Sequence, residues 1–286
     1  MRKILVAFAD THGGHKLGLL MPGVELYDED ERGNLVRYRP SLTATQRYLH
    51  NQYLEDIAAV QEIAGDDPIV VLHNGDATHG DKYPQQLVGT RAADQILIAV
   101  ANMQQWLEIA NVEKFRVVQG TAAHNYAEGT ADILINAQLE ALYPLKDIGT
   151  LNHSLASVDG VRVDYAHHGP GAGIRNWTRG NVARYYLRSL MMDDIVRGRE
   201  PPRLVLRAHF HQFVHEVVSI PVNGREIVSE IYILPCYCGM SEHGRQVTRS
   251  RPYVDTGVIV WEIEDGRIVG THPFWREMDL RTEEEL

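Results

Sequence analysis

Five apolar runs in this chain each lead into histidine or aspartate. "KILVAFA" is followed by Asp10-Thr11-His12, and "IVVLHN" by Gly75-Asp76. "FRVVQ" leads into "GTAAHN", which carries Thr121, His124 and Asn125. "VRVDYA" precedes His167-His168-Gly169, and "LVLRA" precedes His209-Phe210-His211. Short runs of this composition read as buried strands. In α/β sheets, the C-terminal strand ends form the usual site. A fold for this sequence must therefore bring reactive strand tips to one edge. The His209-x-His211 pair sharpens the point, because residues i and i+2 of a strand point to the same side. Two such imidazoles suit one metal centre or two adjacent ones, although a pair of surface histidines would look the same.

The pattern along the chain alternates strands with helices in its first half. Lys3 to Ala9, Pro68 to Leu72 and Lys114 to Gln119 read as strands. Ser41 to about Ala64, Gln86 to Ala110 and Ala131 to Leu142 read as helices, the first with Leu49, Tyr53, Ile57 and Val60 at helical spacing. Pro22 to Arg39 reads as a polar loop, so residues 22–40 are expected to be a long loop. The second half is rich in hairpins: residues 155–166 turn at Asp159-Gly160, and further pairs flank "VNG" and "EDG". Asn176 to Arg197 is helical again, and residues 280–286 read as a solvated tail. The mixture predicts an α/β fold, a layered sandwich of mixed sheets, built as a single domain over residues 1–286.

Charge and cysteine content exclude some classes of function. The formal net charge is −10, which argues against a broad basic face for duplex nucleic acid. No apolar run reaches the length of a membrane span, and the N-terminal one is too short for a signal peptide. Cys236 and Cys238 are too close on a strand to pair, so a reduced cytoplasmic protein with buried thiols is expected. The 14 histidines are the unusual feature. Aspartate and imidazole together suit Mn, Fe or Zn and fit poorly with Ca or an all-sulfur site.

The chain resembles the calcineurin-like metallophosphoesterases, whose ordered pattern is D-x-H, G-D, G-N-H, H and G-H-x-H, over residues 10 to 211. "DTHGGHKLGLLMP", "GTAAH", "AHHGPG" and "NWTRGN" are similar to a branch of that family common in phages and prophages. The resemblance implies an α/β/β/α sandwich and two divalent metal ions, Mn, Fe or Zn. It implies that Asp10, His12, Asp76 and His211 hold the first ion. Asp76 would bridge to a second ion through its two oxygens, with His209 and one of His167 and His168. His167 stands where the family's His-His-Pro turn places its ligand, whereas a His-Gly reading favours His168. A hydroxide bridging the two ions would attack a phosphate ester, with a diester favoured over a monoester, and a nucleotide or single-stranded nucleic acid as a possible substrate. His124 would protonate the leaving oxygen.

Two departures from the family pattern stand out. Its Gly-Asn-His is here Gly120-Thr121-Ala122-Ala123-His124, so the asparagine that ligates the second ion is missing from its place. His124 could instead be a substitute ligand, and Asn125 could supply the amide in inverted order. Ala208 replaces the usual glycine before His-x-His. The altered motif keeps open an alternative, a metal-binding member with an assembly or regulatory role and no turnover. Arg175, Trp177 and Arg179 either reach a phosphate over the metal edge or cap a helix with Trp177 packed on the core.

Overall fold

The computed structural model describes residues 1–126, 129–173, 176–247, 251–281 and 284–285. Its first strand, β1 (Lys3–Phe8), is buried along nearly its whole length. That is the expected behaviour of a parallel strand covered on both faces. Parallel to it lie β4 (Ile69–His73), β5 (Val112–Val118) and β6 (Asp147–Leu151). On the other flank run the long antiparallel strands β12 (Tyr253–Glu264) and β13 (Arg267–Asp279). The six form one sheet in the order β13-β12-β1-β4-β5-β6. A second sheet has the order β10-β11-β9-β8-β7. Its strands are β7 (His153–Val158), β8 (Val161–Ala166), β9 (Leu204–Arg207), β10 (Val214–Val222) and β11 (Arg225–Ile233).

Period-two alternation sends the residues of β1 to two different cores. Leu5 and Ala7 meet Val163, Tyr165, Leu206 and Tyr232 of the second sheet. Ile4, Val6 and Phe8 meet the helices α1 (Ala44–Ala64), α2 (Ala92–Leu107) and α3 (Thr130–Leu142). A third cluster joins α4 (Asn181–Val196) to the second sheet through Ala183, Leu187 and Met191 against Val205, Ile231 and Ile233. Helix α1 shows why these residues fold as they do. Leu49, Tyr53, Ile57 and Val60 form its buried stripe, Thr43 and Gln46 form a capping box, and Gly65 ends it at φ 54°. Among the described residues no helix is long and apolar enough to cross a membrane.

Several expectations are corrected. Residues 22–40 contain a hairpin, β2 (Leu26–Glu29) and β3 (Leu35–Tyr38). Asp30 organises its turn by accepting from the Arg32 and Asn34 amides, while Leu26 is buried against Leu20 and Ile98. The expected helix over 86–110 is a short 3-10 turn, Pro84–Gln86, followed by α2 starting at Ala92. Strand β6 was not anticipated, because "DIGTL" is short and only partly apolar. It forms as an edge strand on β5. The strand pair that flanks "EDG" forms a long hairpin, from Tyr253 to Asp279. A short helix, α5 (Glu242–Val247), also lies in a stretch read without structure. Of the expected tail, Leu280 packs beside Met278 on Cys236, Met240 and Val254. Residues 282, 283 and 286 lie outside the described residues. Cys236 and Cys238 are buried and unbridged.

Candidate metal centre

The strands β1, β4 and β5 are parallel neighbours in one sheet, and β8 and β9 are parallel neighbours in the other. Their C-terminal ends therefore converge, and the segments beyond them interlock. The Asp10 amide donates to the Gly75 carbonyl at 2.9 Å and the His12 amide to the Asp76 carbonyl at 3.0 Å. Across the sheets, the His209 amide donates to Asp10 Oδ2 at 3.1 Å.

Asp10, His12, Asp76, His209 and His211 all have positive φ, between 43° and 76°. Such backbone is costly for residues with a Cβ and collects at functional sites. Asp159, Asn223 and Asp265 share the property, but each sits in a hairpin turn that requires it. Among the described residues, Tyr126 is the other non-glycine there, just past His124.

One group of donors comprises Asp10, His12 and His211. Asp10 Oδ1 lies 3.8 Å from His12 Nε2 and 3.6 Å from His211 Nε2, and the two ring nitrogens are 3.2 Å apart. Asp10 Oδ1 is buried without a hydrogen-bond partner. A buried carboxylate oxygen in that state is costly, and a cation is the natural partner for it. A second group joins Asp10, Asp76 and His167, and a third His167, His168 and His209. Asp76 Oδ2 lies 3.1 Å from His167 Nε2 and 3.8 Å from His209 Nδ1. The donor set of carboxylate and imidazole fits divalent Mn, Fe or Zn. Asp76 Oδ1 accepts the Thr121 amide at 2.6 Å, and it is Oδ2 that lies beside His167 and His209.

The electrostatics follow from burying two carboxylates among histidines. Burial opposes ionisation of Asp76, but the His167 charge and hydrogen bond outweigh it and hold the carboxyl well below its usual value. Asp10 is lowered likewise, chiefly by His211 against the same burial penalty. Burial disfavours the cationic form of His167, yet Asp76 wins and raises it to about 9. His211 is also raised, by Cys236 and Asp10 against burial. His12 is pushed well down, mainly by burial and then by His124.

A layer of further histidines lies behind the donors. His79 Nδ1 stands 3.3 Å from His12 Nδ1, and His167 Nδ1 donates to the Asn74 carbonyl at 2.8 Å. Such contacts orient a ligating ring and fix which nitrogen is free. The His15 and His79 ring centres lie 4.2 Å apart with the planes tilted at 37°, and His15 Nδ1 lies 3.8 Å from the Cys238 thiol. His73 meets the Thr11 hydroxyl at 3.1 Å. Burial lowers His15 and His73 to about 4 and His79 to about 2. His124 donates Nδ1–H to the His79 carbonyl at 2.6 Å, leaving Nε2 4.0 Å from Asp76 Oδ2.

Three residues take places other than those weighed from sequence. Asn125 does not offer an amide to the centre: its side chain is tied to Asp132 in both directions. Arg179 is held by the Phe213 carbonyl and the Asp255 carboxylate, away from a phosphate-clamping role. Trp177 is 79% exposed instead of packed on the core. Arg175 lies outside the described residues. The residue missed from sequence is Thr121. Its hydroxyl stands among Asp76, His167, His168 and His209. The one signal was its position directly after Gly120, where the pattern expects asparagine. A cavity of about 340 Å³ opens over the donors, walled in part by Lys82, Tyr83, Phe210 and Met240.

No protein-family model matches this chain, and no curated protein matches it. Among solved structures it is similar to a conserved uncharacterized protein from Streptococcus pneumoniae TIGR4 described as a predicted phosphoesterase. That match has 10% identity, covers 98% of each chain and has a TM-score of 0.36. It is also similar to a protein of unknown function from Aquifex aeolicus, at 12% identity over 73% of this chain and 80% of the other, with a TM-score of 0.31. Both likenesses are too distant to carry an argument about activity.

Proposed function

We propose that this protein is a metal-dependent phosphoesterase of the calcineurin-like kind, acting on phosphodiesters in preference to monoesters. The observation that carries the reading is the meeting of Asp10, His12, Asp76, His167, His209 and His211 at strand ends of two sheets. The three apolar clusters support the α/β/β/α layering and a single unit over 1–286. The phage-type branch and a cytoplasmic setting, in a host cell, rest on sequence segments alone.

Asp10, His12 and His211 would hold one divalent ion, and His209, His167 and His168 the other, with Asp76 shared between the two. Such ions supply Lewis acidity, neutralise phosphoryl charge and lower the pKa of water. The chain's own groups do the rest. Buried Asp10 and Asp76 stay ionised and keep a strong negative field at the strand tips. The Thr121 amide fixes the Asp76 carboxylate plane. His124, with Nδ1 committed to the His79 carbonyl, passes a proton from Nε2 to the leaving oxygen. Tyr83 and Phe210 on the cavity wall suit a base or an aryl group on that oxygen. A nucleotide or a short single strand meets the acidic surface with less repulsion than duplex does.

The test begins with protein stripped by chelator and reloaded with Mn, Zn, Fe or Mg. Bis-p-nitrophenyl phosphate should be hydrolysed faster than p-nitrophenyl phosphate. Asp76→Asn should lose ion uptake and turnover together, by at least about 10²-fold in rate. Full metal-dependent activity in that variant sinks the assignment. The hydroxyl of Thr121 in place of an amide favours one other reading, a member that binds ions without turnover. Tight ion uptake with neither ester hydrolysed would select it.

A further inference from the structure

We propose that the Thr121 side-chain hydroxyl is itself a donor to the second cation, completing a five-donor site with Asp76, His167, His168 and His209. The inference rests on the metal-dependent reading above and goes further than it, because it commits the altered Gly-Thr motif to an intact site.

The geometry is specific. Thr121 Oγ1 lies 3.2 Å from Asp76 Oδ2, 3.3 Å from His167 Nε2, 3.4 Å from His168 Nε2 and 3.2 Å from His209 Nδ1. A hydroxyl has one proton and two lone pairs, so hydrogen bonding can satisfy at most three of these four neighbours. Donors about 2.0–2.2 Å from a common ion stand roughly 2.8–3.6 Å apart, the short end for octahedral and the long end for tetrahedral arrangements. The four Thr121 distances fall in that range, as does the 3.1 Å between Asp76 Oδ2 and His167 Nε2. The 3.8 Å from Asp76 Oδ2 to His209 Nδ1 is slightly longer.

The chain positions this oxygen with some care. Gly120 passes so close to Asp76 that a Cβ there would meet Asp76 Oδ1 at 2.2 Å. The glycine lets the backbone approach, and the next amide then binds that same Oδ1 at 2.6 Å. Thr121 is thus registered on the carboxylate before its side chain is considered. His167 has its Nδ1 proton committed to the Asn74 carbonyl, which turns its Nε2 toward the same point. A neutral hydroxyl is a weaker donor than an amide oxygen, so the second ion should be the weaker of the two.

The test uses the full chain, stripped with chelator and titrated calorimetrically with Mn²⁺ and with Zn²⁺. Wild type should take up two ions per chain. Thr121→Val keeps the shape and removes the oxygen. It should retain the first ion at wild-type affinity and weaken the second by about 10- to 100-fold. Thr121→Ser restores the oxygen and should restore the second ion to within a few-fold. With Co²⁺, the visible absorption of the second ion should strengthen in Thr121→Val as its coordination number falls, and return in Thr121→Ser. Two ions bound by Thr121→Val at wild-type affinity, with an unchanged cobalt spectrum, overturn this inference and leave the metal centre standing. A wild type that binds no ion overturns both, and a single ion held equally by wild type and Thr121→Val overturns the second site with its Thr121 donor. Equal losses in Thr121→Ser and Thr121→Val would assign the effect to packing and overturn the donor role.

Discussion

The features that define the centre are single-residue features, and they are unevenly legible. Asp10, His12, Asp76, His209 and His211 announce themselves as polar groups at the ends of apolar runs. Their left-handed backbone does not, because nothing about an aspartate or histidine requires it. Nor does the sequence say which nitrogen of His124 is free; the His79 carbonyl decides that. The assignment of His124 as proton donor has a test at this scale. His124→Gln should lower kcat by about 10²- to 10⁴-fold for an alkyl leaving group, and much less for p-nitrophenolate, which leaves without a proton. The measurement is kcat for matched diesters of both kinds. Equal losses on both would mean that the ring positions other groups and donates nothing.

At the scale of elements, helix α3 is fastened to the loop that follows β5. Asp132, in the first turn of α3, accepts from the Gly120 amide and from the Asn125 side chain, and its own amide donates to Asn125 Oδ1. Burial raises Asp132 to about 7, against the lowering effect of those hydrogen bonds. The unfolded value is near 3.9. The folded state thus binds the proton more tightly, and its advantage is complete below about pH 4 and lost as pH rises through about 7. Asp132→Asn mimics the protonated form, so it should remove this slope. Relative to wild type, the variant should gain stability between pH 5 and pH 8, by at most about 4 kcal/mol. Urea denaturation at the two pH values checks it, and an equal loss of stability at both would show that the carboxylate form is the one the loop needs. The helix itself was readable from its apolar spacing. Its link to Gly120 was not, since Asn125 looked from sequence like a substitute ligand.

At the scale of the whole molecule, the candidate donors come from both sheets. Asp10 and Asp76 follow strands of the six-stranded sheet, while His167, His168, His209 and His211 follow strands of the five-stranded one. Ions held between them would tie the sheets together at one end and favour the folded state by mass action. At free ion 100 times Kd the gain is about 2.7 kcal/mol per site. Chelation should therefore lower the melting temperature by roughly 5–10 °C, and Mn²⁺ or Zn²⁺ should restore it. A melting curve indifferent to chelator would separate the histidine cluster from any cation. By itself, the sequence determined the buried strands that carry the donors, the helical stripes and the reactive residue types at the strand tips, because these depend on local periodicity and on side-chain chemistry. The tertiary structure alone decided that Thr121 stands among four donors, that β6 completes the sheet edge and that the 22–40 stretch closes as a hairpin. Those outcomes depend on register between segments far apart in the chain, and no local pattern encodes how two sheets bring their ends together.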